Sequence, residues 1–333
     1  MNREFSYYLT KFLSDYLPNH KNVSKNTIAL YRDCFILFIK FYTEQKKKAI
    51  EKLNFNEISK ELILEFLVWL EKSRNSSIQT RNQRLAAWKS LCNYVQFENP
   101  ELLNICIEIK SIEPKKYQKK ALNYLSLNEI ELLLKQPNIN NKLEFRDLAI
   151  LTLMYDSGAR VQEIIDLHVY SLKFTNTYSV YLTGKGNKTR IVPIQKATAQ
   201  ILKKYISDNS LLNDDILFSN KYHQSLSQKG VTYILKKYLK QAKNENPKFF
   251  NNNISLHSLR HSKAMHLLES GVNIVYIRDF LGHVSISTTE IYAKANPEIR
   301  RKEIEKSTAN IIKNSKFSKS KQIELMDYLK DLL

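Results

Sequence analysis

Glycine is scarce in this chain and is missing from almost all of its first half. The 333 residues contain only six glycines, and none precedes Gly158. Glycine is used where a backbone must turn sharply or approach another group closely. A long region without it is expected to be mostly helical with ordinary connections. The scarcity therefore predicts a helical N-terminal half and singles out the few glycines that follow.

Several other signatures are missing, and each absence excludes a class of protein. No run of 18 or more apolar residues occurs, which argues against a membrane span, and the first residues lack the apolar block of a secretory signal. The three cysteines show no CxxC spacing, so we expect neither a disulfide framework nor a zinc site, and we expect a cytoplasmic protein. No P-loop, no GxGxxG after a strand and no HExxH occurs, so we expect no metal and no cofactor.

Positive charge, in contrast, is abundant. Lysine and arginine total 52 against 33 aspartates and glutamates, a formal net charge of +19, and apolar residues at 43% are enough for packed cores. Part of this charge can reflect a composition rich in lysine, asparagine and isoleucine. Because basic charge attracts phosphate over a long range, a polyanion is the better explanation. Composition alone leaves DNA, RNA and a membrane surface open.

Residues 1–110 are predicted to form a helical domain. Apolar stripes at helical spacing follow Glu4 and three candidate N-caps, which are Ser24, Ser59 and Ser76 or Ser77. Four amphipathic helices with short connections make a compact bundle. The polar side of the fourth helix is expected to present Arg81, Arg84 and Lys89 to this polyanion.

Residues 111–121 are predicted to be a basic linker. They contain Pro114 and four lysines that we expect to contact the polyanion: Lys115, Lys116, Lys119 and Lys120. Such a strip can be merely solvated, but in a basic protein it favours a path along a phosphate backbone.

Residues 122–310 are predicted to form a second domain that is mainly helical. Ser126 and Glu129 make a capping box, and β-like runs at 178–182 and 189–194 flank a glycine-rich turn, which predicts a hairpin. Residues 311–333 are predicted to be a tail that ends in a short amphipathic helix.

Five short motifs of the second domain carry reactive side chains. In chain order they read SGAR, GKG, HSLRH, LGH and TTEIY, and their reactive residues are Arg160, Lys185, His257, Arg260, His283 and Tyr292. Taken singly, each has an ordinary interpretation, such as a surface arginine, a turn lysine or a core aromatic. Ser287 and Glu290 form an S-x-x-E pattern that predicts a short helix carrying Tyr292.

In this order the motifs resemble those of the tyrosine recombinase (phage integrase) family. The family signature is an arginine, a hairpin lysine, H-x-x-R, a histidine after Leu-Gly and a nucleophilic tyrosine, and every position has a match here. The segment NQRLAAWKSLCNYV also resembles the last helix of the family's core-binding domain. The resemblance covers about residues 1–300. It implies a helical core-binding bundle followed by an α+β catalytic domain that is mainly α with a small β-sheet or hairpin.

The chemistry of strand cleavage explains this combination of residue types. Two guanidiniums, Arg160 and Arg260, can hold the nonbridging oxygens of a phosphate, and lysine replaces neither well. A phosphotyrosine linkage at Tyr292 conserves the bond energy without ATP. Lys185 can protonate the departing oxygen, and His257 and His283 can bind phosphate and manage the tyrosyl proton. Glu163 is expected to support Arg160, and His261 is assigned a structural role.

The resemblance implies double-stranded DNA as the partner, with four protomers acting on two paired sites through a Holliday junction. It also implies a clamp of two domains around the duplex. Because the chain begins directly with the bundle, we expect no arm-binding domain and favour the simple two-domain type over the larger phage integrases. The run TTEIYAKANPEIRRKEIEK and the extended tail favour integration or transposition of a mobile element over Xer-like dimer resolution. A type IB topoisomerase shares the chemistry but fits the spacing less well. A basic DNA-binding protein without catalysis is the rival from another class, and an accessory or second recombinase is left open.

Overall fold

The chain divides into two compact units, Met1–Lys120 and Ala121–Leu333. The structure is a computed structural model, and it describes residues 4–47, 50, 53–117, 122–175, 177–184, 186–220, 222–250, 253–283 and 285–295. Within these ranges no helix is both long and apolar enough to cross a bilayer. The predicted tail, 311–333, lies outside the described residues.

The first unit is built from helices. They are α1 (Phe5–Lys11), which continues as a π-helix (Phe12–His20), α2 (Lys25–Lys46), α3 (Lys60–Lys72), α4 (Ile78–Glu98) and α5 (Leu103–Lys110), with 3₁₀ turns at Phe55–Glu57 and Pro100–Leu102. Three serines cap helices as predicted, because Ser24, Ser59 and Ser77 accept hydrogen bonds from the first turns of α2, α3 and α4.

Helix α5 was not predicted. Its N-cap is Leu102, which makes no capping hydrogen bond through its side chain, and the helix buries only Cys106 and Ile109. A short apolar run without a polar cap does not distinguish a helix from a strand. The bundle therefore has one helix more than the sequence pattern indicated.

An aromatic core fills the first unit. The ring of Trp88 on α4 lies 4.6 Å from that of Phe38 in an edge-on arrangement and stacks 5.9 Å from that of Phe5. Cys34, Cys92 and Cys106 are free thiols buried in the same core, as expected of a chain without a disulfide framework. The stability of this unit comes mainly from burying the aromatic and other apolar side chains of this core.

The predicted position of Arg81 on the polar face of α4 is wrong. Its side chain is buried, and the residue is only 4% exposed. The Nε of Arg81 lies 3.5 Å from Oε1 of Glu71 on α3. Because a buried guanidinium needs a compensating carboxylate, Arg81 stabilises the packing of two helices and is not presented to solvent.

The second unit combines helices with one small sheet. Its helices are α6 (Leu127–Lys135), α7 (Lys142–Ser157), α8 (Val161–Ile165), α9 (Lys196–Asp208), α10 (Gln228–Glu245), α11 (Leu256–Glu269), α12 (Ile274–Leu281) and α13 (Glu290–Ala295), with 3₁₀ turns at Val169–Ser171 and Ile286–Thr288. The predicted capping box of Ser126 and Glu129 is present at the start of α6. The predicted class, mainly α with a small sheet, is confirmed.

The sheet has three antiparallel strands in the order β1 (Leu172–Phe174), β2 (Tyr178–Thr183) and β3 (Thr189–Pro193). Strands β2 and β3 form the predicted hairpin, with Thr183 opposite Thr189 at its end. Strand β1 was not predicted, because three residues are too short for an alternating pattern to be recognised. Across the turn, the N–H of Gly184 donates to the carbonyl of Lys188 at 2.9 Å. Lys185 itself lies outside the described residues.

Candidate active site

Gly158 delivers Arg160 to the surface of the second unit. The second half of helix α7 is mostly buried, and the helix ends at Gly158, whose φ of +57° is in the left-handed region that favours glycine. A Cβ on Gly158 would lie 3.0 Å from Cδ2 of Leu281. Glycine makes this turn without strain, and Arg160 follows as the N-cap residue of α8 with its side chain 40% exposed.

Arg260, on α11, is fully buried beneath the turn at Gly158 and the end of α12. Its Nη1 donates to the carbonyl of Gly158 at 2.7 Å, and its Nη2 donates to the carbonyl of Leu281 at 2.6 Å. Arg160 reaches the next carbonyl of that turn, at Gly282, with its Nη2 at 3.3 Å. Burial, followed by the positive charge of Arg160, lowers the pKa of Arg260 to about 9. Two guanidiniums from distant parts of the chain therefore meet at one turn.

The carboxylate of Glu163 binds two arginines of this site, Arg160 and Arg190. Its buried carboxylate accepts from Nη1 of Arg160 at 2.9 Å and from the N–H of Arg160 at 2.8 Å. Burial raises the pKa of this carboxyl, but hydrogen bonds from Arg190 and from the Arg160 backbone outweigh that effect and lower it overall. Glu163 is therefore ionised at neutral pH and holds Arg160 from the position expected of it.

Arg190 on β3 was missed in the sequence. It donates to both oxygens of Glu163 at 2.8 Å and, through Nε, to the carbonyl of Phe280 at 3.0 Å. The signal that indicates it is the alternation of the strand. Arg190 shares a face with buried Val192, whereas Ile191 points outward. A charged side chain on an inward face requires a partner.

Tyr292 is held inside the second unit. It lies on α13, the short helix expected to carry it, and it is 1% exposed in a cluster with Ala264, Met265 and Leu281. Its hydroxyl oxygen is 2.9 Å from Nδ1 of His261. Burial raises the pKa of Tyr292 to about 12, although the charges of Arg260 and Arg160 act in the opposite direction. The phenol is therefore neutral and shielded from solvent.

Three histidines lie near Tyr292, and one of them, His261, contacts its hydroxyl. The rings of His257 and His261 meet edge-on at 4.3 Å, and the ring of His283 lies parallel to that of Tyr292 at 6.4 Å. Nδ1 of His283 lies 2.9 Å from the hydroxyl of Thr289. Burial, followed by nearby positive charge, lowers the pKa of all three, that of His283 to about 4. They are neutral imidazoles at neutral pH.

His261 is the histidine that touches the hydroxyl of Tyr292 in this structure. The sequence assigned it a structural role and gave the tyrosyl proton to His257 and His283. Residue 261 stands four positions after 257 on α11, a spacing that places both side chains on one helix face. From the sequence, that spacing alone could have indicated that His261 lies near the site.

The hairpin turn also approaches the site. A Cβ on Gly184 would lie 3.1 Å from Oε1 of Glu163 and 3.7 Å from Nη1 of Arg160. The backbone just before Lys185 is therefore packed against the Arg160–Glu163 pair. A side chain at position 184 would crowd this pair, so glycine favours the close approach.

The predicted DNA-contacting residues of the first unit have varied environments. Nη1 of Arg84 donates to the carbonyl of Leu30 at 2.6 Å, and Nζ of Lys115 pairs with Glu71 at 2.9 Å. Lys89 is half-buried and Lys116 is exposed. Lys119 and Lys120 lie outside the described residues.

The arrangement is suited to stabilising negative charge on a phosphate. It offers two guanidiniums, neutral imidazoles and a hydroxyl within one cluster, and such preorganised donors act on charge that develops in a transition state. Within the part of the chain that the structure describes, no group of three or more His, Cys, Asp or Glu side chains is placed to hold a metal ion.

Comparison with known families matches both units. Residues 123–298 match the sequence profile described as "Phage integrase family", and residues 9–99 match "Phage integrase, N-terminal SAM-like domain". The two profiles together span most of the chain, including every described residue of the candidate site.

Individual relatives cover most of the chain. "Putative integrase/recombinase y4rC" of Sinorhizobium fredii is 32% identical over 309 residues, 93% of both chains. "Tyrosine recombinase XerC" of Natranaerobius thermophilus is 32% identical over 291 residues, 85% of this chain and 92% of its own. The structure of XerH site-specific recombinase in a post-cleavage complex with palindromic difH substrate has a TM-score of 0.67 at 21% identity, covering 86% of this chain and 80% of its own.

Proposed function

The chain belongs to the phage integrase family of tyrosine recombinases, enzymes that cleave and rejoin DNA, and we propose that it is a site-specific recombinase acting through a 3′-phosphotyrosyl intermediate and a Holliday junction. The observation that carries the proposal is the meeting of Arg160 and Arg260 at the turn of Leu281 and Gly282. A guanidinium can hold two nonbridging oxygens of a phosphate at once. Arg260 would exchange the carbonyls of Gly158 and Leu281, which its two terminal nitrogens now bind, for the phosphate.

In the proposed reaction one P–O bond forms as another breaks, and each proton that is released has an acceptor. The hydroxyl oxygen of Tyr292 attacks the phosphorus, a new P–O bond forms to the tyrosine, and the bond to the 5′ oxygen breaks. Lys185 gives its proton to that leaving oxygen, while the neutral histidines accept and relay the proton of the phenol. Arg160 and Arg260 stabilise the charge on the nonbridging oxygens. Rejoining is the reverse sequence with a different 5′ hydroxyl.

Cleavage requires Tyr292 to leave its buried position. Its hydroxyl is shielded by the surrounding cluster and lies against His261. A phosphate bound by the arginines cannot reach an oxygen enclosed in this way. DNA binding or assembly must therefore move α13, and the energy comes from contacts that form only on DNA.

We assign the DNA contacts to the basic residues of the first unit and of the linker. Arg84, Lys89, Lys115, Lys116, Lys119 and Lys120 would contact the phosphate backbone, which positions the protein without reading sequence. Arg81 is left out of this set because it is buried against Glu71. Double-stranded DNA carrying paired sites is the proposed substrate, with four protomers assembling on it.

We place the reaction in the integration or transposition of a mobile element. The support is the long basic segment that follows Tyr292 and the relative named as a putative integrase/recombinase. Xer-like dimer resolution is the second candidate, favoured by a XerC-named relative of similar identity. Recombination of plasmids carrying the DNA that flanks the gene tests the choice. Excision of the gene supports the first role, and resolution of a plasmid dimer supports the second.

Cleavage is expected to proceed in EDTA without ATP, because arginines bear the charge of the reacting phosphate. The assay is a nicked half-site DNA whose short product diffuses away, which traps the protein as a covalent adduct on a denaturing gel. An adduct distinguishes an enzyme from a DNA-binding protein without catalysis. A strict Mg²⁺ requirement for this step would contradict the proposed mechanism.

Deleting residues 322–333 is expected to leave binding to one site intact and to impair tetramer assembly and recombination. The apolar positions Leu325, Met326, Leu329, Leu332 and Leu333 form a helical stripe, which we propose docks on a neighbouring protomer. The measurements are gel shifts with single and paired sites, and recombinant yield. Lys330→Ala, on the polar side of the stripe, is the control. Wild-type recombination by the truncated chain would show that the stripe folds on its own protomer.

A further inference from the structure

The guanidinium of Arg190 donates hydrogen bonds to two partners and has no role in the reaction proposed above. Its two terminal nitrogens each donate to one oxygen of Glu163 at 2.8 Å, and its Nε donates to the carbonyl of Phe280 at 3.0 Å. The side chain is 13% exposed. Bidentate pairing of this kind fixes orientation as well as distance. Arg190 thereby joins β3 to α8 and to the end of α12.

Gly282 leaves the space that Arg190 crosses. A Cβ at Gly282 would lie 2.9 Å from Cδ of Arg190 and 3.1 Å from its Nε and Nη1. The φ of Gly282 is +65°, which is strained for any residue with a side chain. The glycine therefore ends α12 and also admits the arginine beneath the turn whose carbonyl Arg160 contacts.

The hairpin is fastened beside its turn by the same carboxylate that holds Arg160. Gly184, the first residue of the turn, lies against Glu163, and Arg190 on β3 pairs with Glu163. The hydroxyls of Thr183 and Thr189 meet at 2.9 Å between them. Lys185 follows Gly184 directly, so the start of the turn that carries it is tied to Arg160 through one buried anion.

We propose that Arg190 is a positioning residue, which clamps the hairpin to Glu163 and so holds the start of its turn, at Gly184, beside Arg160. The inference rests on the proposed function, since it takes Lys185 as the donor of a proton to the 5′ oxygen. Lysine at position 190 keeps the charge but cannot form the fork. Arg190→Lys therefore loosens the hairpin while leaving a cation beside Glu163.

The test compares two half-site substrates, one with the natural 5′ oxygen at the cleaved bond and one with sulfur in its place. A thiolate leaves without a proton, because thiols are far stronger acids than alcohols. Arg190→Lys is expected to slow cleavage of the oxygen substrate by about 10²-fold, the scale of general acid catalysis, and to cleave the sulfur substrate near the wild-type rate. Taking the ratio of the two rates in one preparation cancels any difference in folded fraction.

The controls separate this inference from the proposed function. Lys185→Met is expected to give the same selective loss. Arg278→Lys changes a partly exposed arginine paired with Asp279 and is expected to leave both rates unchanged. Absence of adduct with either substrate in the wild-type protein would overturn the proposed function. A selective loss in Lys185→Met without one in Arg190→Lys would overturn the positioning role alone. So would an equal loss of both rates in Arg190→Lys, since that indicates a structural role only.

Discussion

The Tyr292→Phe variant is expected to form no covalent adduct with DNA while keeping its fold and its DNA affinity. Removing a catalytic nucleophile costs on the order of 10⁴- to 10⁶-fold in rate. The phenyl ring retains the packing of a side chain that is 1% exposed, and only the contact between the hydroxyl and His261 is lost. One hydrogen bond of this kind contributes about 1 kcal/mol to stability. The measurements are adduct yield on a half-site substrate and thermal unfolding.

Tyr155→Phe is the matched control for this variant. Its hydroxyl also lies 2.9 Å from Nδ1 of a histidine, His266, in the same unit. The two variants therefore lose the same kind of contact, but only one loses the proposed nucleophile. Tyr155→Phe is expected to cleave like the wild-type protein. With 19 tyrosines in the chain, an adduct that persists in Tyr292→Phe would assign the nucleophile to another residue.

Arg260→Lys is expected to lower the cleavage rate by about 10²- to 10³-fold, the cost of removing a preorganised donor from an oxyanion site. The guanidinium of Arg260 bridges the carbonyls of Gly158 and Leu281, at 2.7 and 2.6 Å. One ammonium cannot reproduce that fork. A buried carbonyl left without its donor costs about 1–3 kcal/mol, so the melting temperature is expected to fall as well.

The decisive measurement for Arg260→Lys is the single-turnover cleavage rate at a temperature where the variant is fully folded. Arg278→Lys is again the control, because this partly exposed arginine pairs with a neighbour on its own helix. Cleavage by Arg260→Lys at the wild-type rate, in folded protein, would show that a positive charge alone suffices and that the fork is not used.

Much of the fold could be predicted because its signals are local. Serine caps, helical stripes and the glycine-flanked hairpin turn each act over a few residues, and Ser24, Ser59, Ser77 and Ser126 all cap the helices expected of them. Helix α5 and strand β1 escaped prediction for the same reason, since neither carries a cap or a pattern long enough to be recognised. They form because neighbouring elements pack on them.

For the site, the sequence predicted the types and order of the residues but not their burial or their contacts. The five motifs identify the residues, and the family resemblance names their roles. The burial of Arg81 could not be predicted, because it depends on Glu71 of another helix. The contact of His261 with Tyr292 depends on how α13 packs beside α11 across 31 positions of sequence. Patterns over a few neighbouring residues do not predict contacts between residues that are far apart in the sequence.

By itself, the sequence determined which reactive side chains are present, their order, and the helices and hairpin that carry them. Only the tertiary structure decided that one carboxylate, Glu163, serves both Arg160 and Arg190, and that Gly282 leaves room for this arrangement. The physical reason is range. Capping and periodicity act between residues a few positions apart, whereas a buried ion pair forms only where separate elements pack together and exclude water from both charges.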